Sequence, residues 1–234
     1  MKKSDATPDH RSRTAERRRD AMRRRLVESA MAVFAEKGAE AAVIDDVIRA
    51  ADVSRGTFYK YFSSTRDLSV AISQELADEL AGYVEQVVLA IPDPARRVAF
   101  GLRLFIETAR AFPLFAGFIR ATGLEATGPA SLINDYLPRH LSEGAAQGRF
   151  VDEPVEVLLD LIVGAVLLCV LRQVEHPIGT AHVRQVVASI LRGLGLPADE
   201  AWKIADIDVP PLALPADSLL MRAHLRLSSL QGRL

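Results

Sequence analysis

An all-α fold is predicted for this 234-residue chain by three observations. Apolar residues recur at i, i+3, i+4 and i+7, while strict apolar alternation is nearly absent. Proline stands at the joints between these runs, at 92, 94, 113, 129, 154, 177 and 197. Helix-capping residues precede several of the runs, with glycine or a turn residue after them. No repeat of 20–50 residues is evident.

The first stripe is Leu26, Ala30, Val33 and Phe34, and Gly38 follows it as a C-terminal stop. Ile44, Val47, Ile48 and Ala51 form a short second stripe, with Asp45 and Asp46 in its first turn at the positive end of the helix dipole. Asp52 occupies the turn, where Asp tolerates a left-handed backbone better than most residues. Ser54 caps a third helix, roughly residues 54–61. Ser64 and Asp67 have capping-box spacing and open a long helix from 65 to about 90. After "IPDPA" (91–95), helical patterns cover 94–111, 113–121, 129–147, 154–175 and 178–195. "VPPLALPAD" (209–217) reads as an extended linker before a short amphipathic helix with Leu219, Leu220, Leu225 and Leu227. These patterns divide the chain into a basic arm (1–20), a small helical domain (21–66), a larger helical domain (67–200) and an extension (201–234).

The net charge of −1 conceals an asymmetry. Residues 1–25 hold ten Lys or Arg against four acids, and the remainder holds nineteen against twenty-six. A basic front on an acidic protein suits a polyanion docking at one end. The single cysteine, Cys169, excludes an internal disulfide and a thiolate metal site, and fits a reducing cytoplasm. Its setting, "LLDLIVGAVLLCVL" (158–171), is too short to span a bilayer and contains Asp160, so no membrane partner is expected. The five histidines lack metal-ligand spacing, and no phosphate-binding glycine pattern occurs. No enzyme activity, metal or cofactor is therefore expected.

The segment "AADVSRGTFYKYFSS" (50–64) sets Val53, Phe58 and Phe62 at helical intervals, separated by polar residues. Two short helices joined by a tight turn, after a longer one, make a helix-turn-helix whose second helix enters the DNA major groove. The three apolar residues then face a small core. Arg55 is free to bond guanine twice, Thr57 to touch a thymine methyl or a phosphate, and Tyr59 and Lys60 to meet phosphates.

"RLVESAMAVFAEKGAEAAVIDDVIRAADVSRGTFYKYFSSTRDL" (25–68) resembles the DNA-binding domain of the TetR family of bacterial transcriptional regulators. The likeness rests on Phe34 and Gly38, on the V-S-x-G-T-hydrophobic-Tyr-x-aromatic-Phe run at 53–62, and on the cap with "D-L" that opens the next helix. It implies a homodimer of all-helical subunits that binds double-stranded DNA and carries a C-terminal ligand-binding and dimerisation domain. It places Arg55, Gly56 and Thr57 at base-reading positions, and Tyr59 and Tyr61 at backbone-contacting ones. Lys60, Thr65 and Arg66 complete the expected DNA face. Three residues depart from the family pattern. Val43 stands for a helix-capping Thr that touches a phosphate, Asp52 for the turn Gly, and Thr65 for a phosphate-binding Lys. The expected function is a repressor on a palindromic operator, released by a small, mostly apolar molecule. The rival readings are a helical interaction module and a small helical enzyme, neither binding an operator.

In the larger domain Phe100, Leu104, Phe105, Thr108, Phe112, Phe115 and Phe118 cluster on consecutive helices. With Tyr136 and His140 they make the expected ligand-binding set, an apolar cavity with sparse polar groups. Leu161, Gly164, Leu168 and Leu171 on one late helix, with Val183, Val187 and Ile190 on the next, are the expected dimer interface, since one subunit has too little surface to cover both faces.

Overall fold

A computed structural model describes residues 10–38, 41–122, 133–176, 178–210, 212–222 and 224–225. Helices and no strand occur among the described residues, in two compact units, 1–68 and 69–234.

The first unit holds α1 (His10–Lys37), α2 (Ile44–Ala51) and α3 (Arg55–Tyr59). Leu26, Ala30, Met31 and Phe34 of α1 pack with Val47 and Ala51 of α2 and Phe58 of α3 in a small core. Phe62 joins them with its ring 6.1 Å from that of Phe58. Val53, expected in that core, is only half-buried. Gly38 ends α1 at φ +85°, with its N–H donating to the Phe34 carbonyl. Asp52 (φ 49°, ψ 57°) takes the left-handed turn after α2, so the chain reverses without a glycine. From residue 10 onward the basic run is helical, because His10–Lys37 is one continuous helix. At about 1.5 Å per residue, the stretch before Leu26 is about 24 Å of arginine-rich helix, exposed from Arg13 to Ala21.

Helix α4 (Thr65–Val88) opens in the first unit and continues through the second. The second unit adds α5 (Pro94–Ala111), α6 (Pro113–Thr122), α7 (Ile133–Ala146), α8 (Val155–Glu175), α9 (Thr180–Gly193) and α10 (Ala198–Ala205). Helix α10 and its buried Ala201, Ile204 and Ala205 fall in a stretch where no helix was expected. Residues 129–132 of the expected seventh helix, and Leu227, lie outside the described residues. Pro94 starts α5 without forfeiting a hydrogen bond, and the Asp93 carboxylate caps it by accepting from the Ala95 N–H at 3.1 Å. Arg149 ties that cap to α10, reaching Asp93 at 3.0 Å and Glu200 at 2.9 Å. Helix α5 is the hub of the unit, packed against α6, α7, α8, α9 and α10. Gly144 lets the Phe150 ring lie directly on α7, where a Cβ would stand 2.1 Å from a ring carbon.

Candidate functional site

Two places carry chemistry, one in each unit. In the first, Ser54 starts α3, its Oγ accepting from the Thr57 N–H at 3.0 Å and lying 2.9 Å from the Thr57 hydroxyl. The five-residue helix is too short to persist alone, so this cap and the burial of Phe58 hold it. One face is thereby fixed inward and the other presented outward. Arg55, Gly56, Tyr59, Lys60 and Arg66 are exposed, while Thr57, Tyr61 and Thr65 are half-buried. Tyr59 stacks edge-on against Phe58, which holds its phenol outward.

The Arg55 guanidinium is held by Asp45, in the first turn of α2, at 2.6 Å. That bond raises the arginine's pKa, which leaves its charge permanent and its direction set. Both side chains are about 60% exposed, so solvent screens the pair and another acceptor can displace Asp45. The sequence singled out Asp45 only as a helix-dipole residue; its position ten residues before Arg55 carried no sign of the pairing. Val43 heads α2, 57% exposed and with no side-chain acceptor. Only the reciprocal half of a capping box remains there, the Val43 N–H donating to Asp46 at 3.3 Å. Asp46 in turn receives Lys37 at 2.6 Å, and this bond holds its pKa down.

In the second unit an apolar cavity opens between α4, α5, α7 and α8. Val84, Val98, Leu102, Phe105, Ile162 and Val166 supply apolar wall, and Glu85, Arg97, Tyr136 and His140 form the polar part of the lining. Of the expected ligand set, Tyr136 and His140 border this cavity, as does Phe105. The rest do not join them. Val98, Gly101, Leu102 and Phe105 share one face of α5, whereas Leu104, Thr108 and Phe112 turn to another cavity beside Arg103 and Glu107. Phe112 and Phe115 also border a third, with Leu220 and His224. Phe100 is half-buried on α5 and borders none of the three; the side chain of Phe118 lies outside the described residues. A helix carries neighbouring apolar residues to different sides, and the expected cluster had merged two faces of α5.

The expected dimer face divides in the same way. Leu161 and Leu168 stand 42% and 61% exposed, with Gly164 and Leu171 half-buried between and beyond them. With Val157, also exposed, they make one apolar stripe along α8. Val183, Val187 and Ile190 are core residues, at most 2% exposed, because that face of α9 packs within the protomer, where α9 meets α5, α8 and α10. The outward face of α9 carries Ala181, Gln185, Ser189 and Arg192 instead. Cys169 is buried on α8, and burial pushes its thiol pKa up, as expected of a core cysteine. Among the described residues no helix is long and apolar enough to cross a membrane, and no cluster of metal-ligating residues occurs.

Two family models match the chain: bacterial regulatory proteins of the tetR family over residues 26–72, and the tetracyclin repressor-like C-terminal domain over residues 93–207. The chain belongs to the TetR family. Among TetR relatives, the transcriptional activator FasR of Mycolicibacterium smegmatis is 32% identical over 89 residues, 38% of this chain and 41% of FasR. The transcriptional repressor AcnR of Corynebacterium efficiens is 29% identical over 144 residues, 58% of this chain and 73% of AcnR. The first curated relatives are matched over less than half of their own length. The crystal structure of RolR in complex with resorcinol shares the TetR fold, with a TM-score of 0.73 at 24% identity over 85% of this chain and all of that one.

Proposed function

We propose that this protein is a ligand-responsive transcriptional regulator, acting in the cytoplasm as a homodimeric repressor on a palindromic operator and released by a small, mostly apolar molecule. The observation that carries this reading is α3. A serine-capped helix buries Phe58 and turns Arg55, Gly56, Tyr59 and Lys60 to solvent in a domain of the TetR family. Arg55, Gly56 and Thr57 read bases, and Tyr59, Lys60, Tyr61, Thr65 and Arg66 position the phosphate backbone. The α8 stripe of Leu161, Gly164, Leu168 and Leu171 pairs with its copy, assisted by the outward face of α9. Two inverted half-sites then meet the two α3 helices about one DNA turn apart.

The effector enters the cavity bordered by Phe105, Tyr136 and His140. Support for a small, largely apolar ligand comes from its aliphatic walls and from the fold shared with RolR, which binds resorcinol. Helix α4 couples the two functions, since it begins in the DNA-binding unit and its Glu85 borders the cavity. Fluorescence anisotropy on the DNA upstream of the protein's own gene, with and without ligands found by screening, tests the proposal. The coupling is one free energy, typically ~1–3 kcal/mol, so DNA must weaken ligand binding by the factor by which ligand weakens DNA binding. Equal ligand affinity with and without bound operator would refute the release mechanism.

A further inference from the structure

Glu85 is the charged residue that α4 contributes to the cavity lining. Its carboxylate is buried, with Oε2 2.7 Å from His140 Nε2 and Oε1 accepting from Arg139. His140, 5% exposed, turns its other nitrogen to Arg97 at 3.1 Å. A guanidinium has no lone pair to offer, so Nδ1 is the acceptor and the ring proton resides on Nε2. His140 is therefore neutral and donates to Glu85. Arg97 also donates to the Ile91 carbonyl at 2.9 Å and to Glu143 at 2.5 Å. Two guanidinium groups thus face two carboxylates, and the network's charges cancel.

This arrangement restricts the polar end of any ligand. A carboxylate would bring a third negative charge beside Glu85, against apolar walls and with both guanidinium groups already bonded. A neutral hydroxyl adds no charge, and it can donate its proton to Glu85 from the cavity side. We propose that the effector is an uncharged, hydroxyl-bearing molecule whose hydroxyl takes the Glu85 oxygen from His140. Glu85 lies on α4 and His140 on α7, so recognition of the hydroxyl breaks a tie between these helices. The inference rests on the cavity being the effector site, and the experiment separates the two claims.

Resorcinol, 1,3-dimethoxybenzene and benzoate are titrated into the full chain by calorimetry, and the His140 Nε2–H signal is followed by NMR. Resorcinol is expected to bind saturably, with the other two at least tenfold weaker. It should also move the His140 signal away from its hydrogen-bonded position. Glu85→Gln should remove the preference for resorcinol over its ether, and the wild-type comparison stands if that variant does not fold. If the ether binds as well as resorcinol, if benzoate binds better, or if bound resorcinol leaves the His140 signal in place, the hydroxyl assignment falls and the cavity assignment survives. Gly101→Leu fills the cavity from α5, where a Cβ already meets Val84 and Val88 at 3.5 Å. Undiminished resorcinol binding in that variant, or no binding of any of the three to the wild type, overturns both.

Discussion

Replacing Arg55 by Ala tests the assignment of α3 as the reading element. In the free protein the guanidinium is aimed by Asp45 at 2.6 Å in an exposed pair, and guanine must supply a better partner than that carboxylate. One bidentate arginine–guanine pairing discriminates by about tenfold to a hundredfold, and a symmetric dimer makes it twice. Arg55→Ala should therefore lower operator affinity by about a hundredfold to ten-thousandfold. Its effect on scrambled DNA is confined to the loss of one positive charge per subunit. Asp45→Asn keeps the shape and removes the negative charge beside Arg55, so it should strengthen binding to both DNAs while loosening base preference at the position Arg55 reads. Anisotropy titrations on operator and scrambled duplexes at one fixed salt concentration measure these factors. If Arg55→Ala weakens both duplexes equally, Arg55 is a phosphate ligand and the reading of α3 is wrong.

Deleting residues 1–20 should flatten the slope of log K against log salt by about 0.9 for each phosphate the arginines had neutralised, with sequence preference intact; an unchanged slope would leave the arginine-rich stretch without a DNA role. Val43→Thr supplies the missing cap acceptor at an exposed position and should add about 1 kcal/mol to the stability of the DNA-binding unit in urea unfolding. A tighter grip on all DNA sequences should accompany it if the hydroxyl also reaches a phosphate. Leu168→Glu places a charge on the most exposed large apolar residue of the α8 stripe and should yield monomers by sedimentation, whereas a retained dimer would move the interface elsewhere. Asp93 has its pKa held down chiefly by Arg149, so the stability it contributes is present above its ordinary value and lost as pH falls through the lowered one. Arg149→Gln should flatten the acid limb of a stability profile below about pH 4, and an unaltered limb would deny that Arg149 ties the α5 cap.

Sequence alone determined whatever depends on neighbours along the chain. The ends of α5, the Ser54 cap, the left-handed Asp52 and the stop at Gly38 all follow from residue chemistry within a turn or two, and each stands where it was expected. The residues facing outward from α3 were legible for the same reason, because a buried Phe58 fixes the orientation of a helix that short. Only the tertiary structure decided which stripe meets which neighbour. Apolar periodicity marks a face as buried without saying whether a partner helix or a second subunit covers it. Val183, Val187 and Ile190 accordingly went to the protomer core, while Leu161 and Leu168 stayed outside. Asp45 beside Arg55, and Glu85 with His140 and Arg97, are meetings across the fold between residues 10 to 55 positions apart. Such distances along the chain are closed by helix packing, and no local pattern records them.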